Sequence, residues 1–334
     1  AVCGTSAVMA QSSVTIYGRV NTTIEQQKLG DNKATGVANN NSRIGFKGVE
    51  DLGNGLKAGF QLEAGFGSDD GSGPLTFKRQ SEVNLSGNFG MVRLGNFYPE
   101  SYYATSDYIG MHNHETGSSS DVLYYDAAWF DGNLDGNRTG NKVAYRTPTF
   151  NNFWAEASVS LHEKANNPVV KVNKNAYDLA ANYNNGPLSL GAGYSYWNSN
   201  YQAALRGLYT FGQFTVGAYY QRNKDDNAIL GAGAGSRNNF RLSGMYVLNA
   251  SEFHVNVGRA NKWSNVSDSA ATQWTLGYNY NLSKRTKIYT YYTRINSGKG
   301  MDYSSGAVSF NSIKTGTNAG DNFSSFALGV RHNF

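Results

Sequence analysis

Few residues in this chain carry reactive side chains at close spacing. His112-Asn113-His114-Glu115 places two imidazoles and a carboxylate together, as a metal site would. A zinc site needs further protein ligands, and no second pair follows at a recognisable spacing. General acid–base catalysis needs a histidine with an oriented partner, and the 5 histidines are scattered along 334 residues. The sequence therefore does not predict an enzyme.

A second candidate site is the acidic stretch Asp131-Gly132-Asn133-Leu134-Asp135-Gly136, which resembles the first half of a calcium-binding loop. Ca²⁺ prefers oxygen ligands at alternating positions, so Asp131, Asn133 and Asp135 would be its ligands. The distant bidentate glutamate of an EF-hand is missing. Two interpretations stay open, a structural calcium site and a plain acidic turn, and we expect no other cofactor.

The basic residues are numerous but dispersed. The chain carries 29 Lys and Arg against 24 Asp and Glu, a formal net charge of +5. Nucleic-acid-binding domains concentrate such charge in a patch or along one helix, whereas here the basic side chains occur singly. We therefore expect no nucleic-acid partner and interpret these side chains as lining a passage.

The elements that position these side chains are predicted to be β-strands. The chain has 39 Gly, 23 Tyr and 17 Phe but only 5 Pro and 16% charged residues, a balance that favours strands over helices. No segment approaches the 18 or so consecutive apolar residues of a membrane helix. Strands of a membrane barrel need only about 10 residues each and alternate lipid-facing with lumen-facing positions. A mean hydropathy of -0.50 is therefore compatible with a membrane β-barrel.

Alternation with period two runs along the chain as far as its last residues. In residues 326–334, F-A-L-G-V-R-H-N-F, apolar side chains fall on one face and small or polar ones on the other. A patterned chain end implies a partner strand, since ends otherwise fray. About 16 similar segments follow one another, joined alternately by tight turns and longer polar loops. Residues 28–40 are predicted to form one of these loops. Closure into a barrel removes the unpaired edges of so wide a sheet.

Aromatic residues favour a membrane barrel over a soluble one. They lie near the ends of apolar faces, where interfacial girdles are found; examples are Tyr194-Tyr196, Tyr219-Tyr220, Tyr278-Tyr280 and Tyr291-Tyr292. The opposite faces carry Gln, Asn, Ser, Thr and Gly, which are too polar for a dry core. We predict an all-β fold, a 16-stranded antiparallel transmembrane β-barrel with water in its lumen.

Residues 99–140 interrupt this regularity with roughly 40 residues that lack sustained alternation, far beyond the usual connection. In a water-filled barrel, so long a loop can fold inward and narrow the lumen. The opening A-V-C-G-T-S-A-V-M-A is typical of the tail of a signal peptide. We therefore assign residues 1–10 to that peptide and residues 11–334 to a single barrel domain, which leaves the mature chain without a thiol.

Several stretches resemble the trimeric general porins of Gram-negative outer membranes. They are S-S-V-T-I-Y-G-R-V, N-S-R-I-G-F-K-G-V-E-D-L-G-N-G-L-K-A-G-F-Q-L-E, L-S-G-N-F-G-M-V-R-L-G and the terminal Phe334. The resemblance covers essentially the whole mature chain. It implies a 16-stranded barrel and a homotrimer surrounded by outer-membrane lipid and lipopolysaccharide. It also implies that the third loop folds into the lumen as a constriction.

The resemblance further implies which side chains line that constriction. In such porins, arginines on the barrel wall face acidic groups on the loop, and the field between them selects solutes by size and charge. The candidates in this chain are Arg43, Arg79, Arg138, Lys47, Lys78, Glu63, Asp107 and Glu100. Strict alternation puts Arg79 on the outward face unless a bulge intervenes, and without a bulge Lys78 and Gln80 are the lumen residues.

The expected function is passive diffusion. Guanidinium groups stay charged at any working pH, and in a narrow opening they raise the local anion concentration and repel cations. We expect weak to moderate anion preference among small anionic or neutral hydrophilic solutes. Two alternatives stay open: a barrel enzyme such as a lipase or protease, and an adhesin or phage receptor that uses the loops.

Overall fold

The chain is folded mainly into antiparallel β-strands. A computed structural model describes residues 13–107, 109–110, 117–125, 139–162, 174–226 and 233–334. The strands are β1 (Ser13–Leu29), β2 (Asn32–Asn39), β3 (Arg43–Gly53), β4 (Leu56–Gly65), β5 (Gln80–Gly87), β6 (Gly90–Phe97), β7 (Thr139–Arg146), β8 (Phe153–Ser160), β9 (Ala176–Asn185), β10 (Leu188–Trp197), β11 (Asn200–Phe211), β12 (Phe214–Asp225), β13 (Gly235–Leu248), β14 (Ser251–Ala260), β15 (Ala271–Asn281), β16 (Thr286–Ser297) and β17 (Phe323–Asn333).

Helical structure is short in the described residues. It comprises α1 (Glu100–Thr105) and single 3₁₀ turns at Gly117–Ser119, Ser305–Ala307 and Asn311–Ile313. In this part of the chain, no helix has the length and apolar character needed to cross a membrane.

The sheet closes on itself. Each strand from β3 onward pairs with the next, and β17 pairs with β1. The other edge of β1 pairs first with β3 and then with β2, so these two segments form one barrel strand interrupted at residues 40–42. Asn21 spans the interruption, because its side chain donates to the carbonyl of Asn40 at 2.9 Å. The 17 segments of the sheet thus make 16 barrel strands, which confirms the predicted fold class.

Burial is inverted relative to a soluble protein. Along β1, Ile16 and Ile24 are 60% and 59% exposed, whereas Asn21, Glu25 and Gln27 are fully buried. The apolar face therefore points outward, as a lipid environment requires, and the polar face points into the barrel.

Aromatic side chains form a continuous row on the outer face near the turns. Neighbouring ring centroids in this row are 4.6–6.3 Å apart. The row consists of Tyr209, Phe211, Phe214, Tyr246, Phe253 and Tyr278. The prediction that Tyr219 and Tyr291 belong to the aromatic girdles is wrong. Alternation turns these two side chains inward, where they are 3% and 1% exposed.

Short turns join the strands at one end of the barrel, in agreement with the predicted alternation of tight turns and longer loops. They include Asn54-Gly55, Gly186-Pro187, Gly212-Gln213 and Asn249-Ala250. The predicted loop over residues 28–40 is wrong, since β1 continues to Leu29 and a two-residue turn leads into β2. The period-two signal is weak there, because Val37 is the one large apolar side chain that β2 turns outward.

The C-terminal residue completes the closure. The N–H of Phe334 donates to the Gly18 carbonyl at 3.1 Å, and the N–H of Gly18 donates back at 3.0 Å. Gly18 also lies close to β3 on its other side. A Cβ at residue 18 would be 2.5 Å from the carbonyl oxygen of Arg43 and 2.5 Å from a ring carbon of Phe334. The absence of a side chain at residue 18 therefore allows three strands to meet.

Gly18→Ala is expected to weaken this closure. The added methyl group would overlap a backbone oxygen that cannot move freely, and overpacking of this kind costs about 1–3 kcal/mol. The measurement is the temperature at which the folded barrel converts to the unfolded band in semi-native electrophoresis. Gly207→Ala in β11 is the matched control, because its added Cβ would lie an ordinary 3.6 Å from Leu190. Equal conversion temperatures for the two variants would contradict the prediction.

Candidate functional site: charged clusters on the inner face

Two arginines share one carboxylate on the inner face. Nε of Arg79 lies 2.7 Å from Oε1 of Glu63, and Nε of Arg43 lies 3.7 Å from Oε2. The hydroxyl of Tyr17 donates to the same carboxylate at 3.1 Å, and Lys47 lies over the Tyr17 ring at 5.4 Å from its centroid. The structure thus brings together four of the predicted residues. Because three cations accompany one carboxylate, this part of the wall carries an excess of positive charge.

An irregularity at the start of β5 turns Arg79 inward. Gln80 is the registered partner of Glu63, yet the N–H of Arg79 also donates to the Glu63 carbonyl, at 3.2 Å. Two successive residues thus lie opposite one, as in a β-bulge, and the Gln80 side chain bonds to a neighbouring inner carboxylate. Lys78 is exposed, and its carbonyl accepts a hydrogen bond from the Asn96 side chain at 2.8 Å.

A second, larger cluster was not predicted from the sequence. Arg93 lies 2.7 Å from Glu82 and 2.9 Å from Glu156, so it bridges β5 and β8. Arg146 lies 2.8 Å from Glu156 and 2.7 Å from Glu100. The predicted loop carboxylate Glu100 therefore belongs to this cluster. Burial raises the pKa of Glu100 to about 8, although the neighbouring Arg146 opposes that shift.

The helix that follows β6 lies against the inner face of β9, β10 and β11. The backbone N–H of Ser101 donates to Asp178 at 3.1 Å, and its hydroxyl lies 2.9 Å from that of Ser195. Gly191 and Gly193 permit this approach, because a Cβ at either position would collide with α1. The helix is therefore in direct contact with the wall.

Residues 117–125 are fixed to other parts of the inner face. Oδ1 of Asp121 lies 2.6 Å from Nη2 of the buried Arg241. The hydroxyl of Ser118 donates to the buried Glu25 at 2.7 Å. Main-chain carbonyls of the same segment accept hydrogen bonds from side chains of β13 and β15. The described parts of the connection between β6 and β7 thus contact inner-face residues of β1, β9 to β11, β13 and β15.

The remaining predicted residues fall partly outside the described chain. Asp107 is buried directly after α1, where its backbone N–H donates to the Tyr102 carbonyl at 3.2 Å. Arg138 and the calcium candidates Asp131, Asn133 and Asp135 lie outside the described residues. Within the described residues, no group of three or more His, Cys, Asp or Glu side chains is arranged to hold a metal ion.

Comparisons with known proteins agree with this architecture. A family model described as Gram-negative porin matches residues 1–300. The outer membrane porin protein 32 of Delftia acidovorans is 31% identical, with 100% of this chain and 97% of that protein covered. An outer membrane porin protein of Bordetella pertussis is 27% identical, with 85% of this chain and 89% of that protein covered.

Solved structures extend the match to three dimensions. An anion-selective porin from Comamonas acidovorans is 29% identical and superposes with a TM-score of 0.81, covering 97% of this chain and all of that one. OmpF of Salmonella typhi, 17% identical with a TM-score of 0.71, shows the same fold. With a closed barrel, a polar interior and relatives that match over nearly their whole length, the chain belongs to the Gram-negative porin family and is an outer-membrane channel protein, not an enzyme.

Proposed function

We propose that this porin conducts small hydrophilic solutes with a preference for anions. We also propose that the narrowest part of its lumen lies between the Arg43–Arg79 cluster and the connection after β6. The observation that carries the proposal is the sharing of Glu63 by two guanidinium groups. One carboxylate neutralises one of them, and the remaining charge faces a confined polar lumen, where it attracts anions.

The second cluster does not reverse this preference. Its three acidic side chains outnumber its two arginines, but Glu82, Glu100 and Glu156 are only 2–7% exposed, and burial raises the pKa of Glu100 to about 8, which keeps that group largely neutral at pH 7. Arg146 is the most solvent-exposed member, at 29%. Solutes in the lumen therefore meet a cation at this cluster as well, while the carboxylates are screened by their partners.

Family membership supports a homotrimer with outer-membrane lipid and lipopolysaccharide around it. The exposed apolar face is the part of the surface that would contact lipid or a neighbouring barrel. The Comamonas acidovorans porin is described as anion-selective, and its similarity to this chain supports the same preference here.

Replacing both Arg43 and Arg79 by Gln is expected to lower the chloride-to-potassium permeability ratio about three- to tenfold, because two unit charges within a few ångströms of the path are removed. The measurement is the reversal potential in planar bilayers under a KCl gradient. Arg259→Gln is the matched control, because Arg259 lies exposed on the outward face of β14. An unchanged reversal potential in the double variant would refute the assigned role of this cluster.

The contacts that hold residues 117–125 against the wall should determine how much the channel current fluctuates. Asp121→Asn removes the charge partner of Arg241, which is 2% exposed, and leaves that guanidinium buried without compensation. We expect more frequent current fluctuations in single-channel recordings, with the anion preference kept. Asp51→Asn, at the exposed end of β3 where the side chain accepts a hydrogen bond from the Gly53 N–H, is the control. Recordings as quiet as those of the unmodified protein would show that this ion pair does not hold the segment.

A further inference from the structure

A polar cavity of about 420 Å³ lies at the short-turn end of the barrel. It is formed by the turn between β15 and β16 together with inward-facing side chains of β14, β16 and β17. Outer-membrane barrels place their short turns on the periplasmic side. We call this cavity the turn-end pocket.

Basic side chains outnumber acidic ones in the lining of the turn-end pocket by four to one. The charged residues of this lining are Glu252, Lys284, Arg285, Lys287 and Arg331. Glu252 lies 3.2 Å from Lys287, and it accepts two further hydrogen bonds of 2.7 Å from asparagine side chains of β15. Its carboxylate is therefore satisfied within the wall, and the remaining three cations give the pocket an excess of positive charge.

The arrangement of Arg331 is unfavourable in the absence of an anion. Its Nε atom is buried and has no hydrogen-bond partner among the described residues. Its registered partner on β16 is Lys287, so two like charges lie directly opposite each other on neighbouring strands. Such a pair is destabilising, and so is a buried donor without an acceptor. An anion held between the two side chains would relieve both.

The turn-end pocket is connected to the Arg43–Arg79 cluster through Arg19. Arg19 is the registered partner of Arg43 on the neighbouring strand. Its Nε atom donates to Oδ1 of Asn333 at 3.3 Å. Asn333 lines the pocket, and its backbone N–H donates to the Arg285 carbonyl at 2.8 Å. A series of neighbouring residues therefore leads from the proposed constriction to the pocket.

We propose that the turn-end pocket binds a doubly charged tetrahedral oxyanion, the chemistry shared by sulfate and the phosphate dianion. The planar guanidinium of Arg331 can donate two parallel hydrogen bonds to two oxygens of such an ion. Lys287 supplies a further donor from the opposite strand, and the cations of the turn add to the local potential. A dianion gains more from this potential than a singly charged anion does.

The ligand comes from the solution in the lumen and not from a lipid head group, because the side chains of Lys287 and Arg331 are on the inner face of the barrel. This inference rests on the proposed anion-preferring function. It adds a second anion site beyond the constriction, with a preference for doubly charged ions.

The test uses sulfate, which is a dianion at any working pH, and nitrate, which carries one charge. Each is added to the porin in a planar bilayer containing KCl at constant ionic strength, and the concentration that halves the single-channel conductance is measured. We expect sulfate to halve the conductance at a concentration at which nitrate leaves it nearly unchanged. Absence of a sulfate effect with chloride preference intact would overturn the inference alone, whereas absence of chloride preference would overturn the proposed function.

Arg331→Gln assigns the effect to the turn-end pocket. Because a hydrogen bond to a charged group is lost, we expect the half-blocking concentration of sulfate to rise about tenfold. Lys314→Gln is the matched control, since it removes the same charge from an exposed position in the connection between β16 and β17, at the other end of the barrel. This control should keep the half-blocking concentration of the unmodified protein.

A second variant, Lys284→Gln with Arg285→Gln, keeps the test decisive if Arg331→Gln does not fold. Both residues are exposed in a turn, so their replacement leaves the strand pairing intact. We expect the half-blocking concentration of sulfate to rise about three- to tenfold, because two unit charges beside the ion are removed. An unchanged concentration in either folded variant would place the sulfate effect elsewhere in the channel and contradict the proposed site.

Discussion

Backbone N–H and C=O groups find no water in the hydrocarbon of a membrane, and this constraint determines the arrangement of the whole chain. Every strand edge needs a partner, so β17 must return to β1, and the last hydrogen bonds are those between Gly18 and Phe334. Once the sheet is closed, period-two alternation leaves only two environments for a side chain. Lipid contacts the apolar side chains, and most of the polar and charged side chains point inward.

The inward-facing polar side chains must then form hydrogen bonds and ion pairs with one another. Glu25 illustrates this, because its fully buried carboxylate accepts bonds of 2.7–2.9 Å from five side chains. Those donors are Thr23, Gln27, Ser118, Tyr291 and Ser325. One of them, Ser118, belongs to the connection after β6, so the same bonds that stabilise a buried charge also hold the segment in place. Structural and functional roles therefore meet in single residues on the inner face.

The sequence is most informative where period two is strong. It predicts the barrel, the strand number and most turns, because each depends on alternation and on turn residues within one segment. It is less informative where an offset of one residue matters: Arg79 faces inward because of an irregularity before β5 that no local pattern reveals. The hairpin from β1 to β2 escapes prediction because neither of its faces is clearly apolar.

Contacts between charged side chains of different strands are the second feature that the sequence does not predict. Arg93 and Glu156 are 63 residues apart in sequence and meet only through the registers of β6, β7 and β8. Arg93 does lie on the inward side of its strand, and Glu82 on that of the neighbouring strand, so alternation places each charge on the correct face. Which charges then make contact depends on register and side-chain reach, and these are properties of the folded sheet.

The two glycines beneath α1 have a consequence for electrical selectivity. A water-filled gap between the helix and the wall would be a second path for ions. Ions on that path would pass the Arg43–Arg79 cluster at a distance, and the channel would not discriminate between them by charge. Gly191 and Gly193 let the helix backbone rest directly on the wall, which closes that shunt along the contact. In the proposed constriction, the arginine charge acts on a permeating ion most strongly when no second path is open, and at this contact the path is closed because residues 191 and 193 carry no side chain.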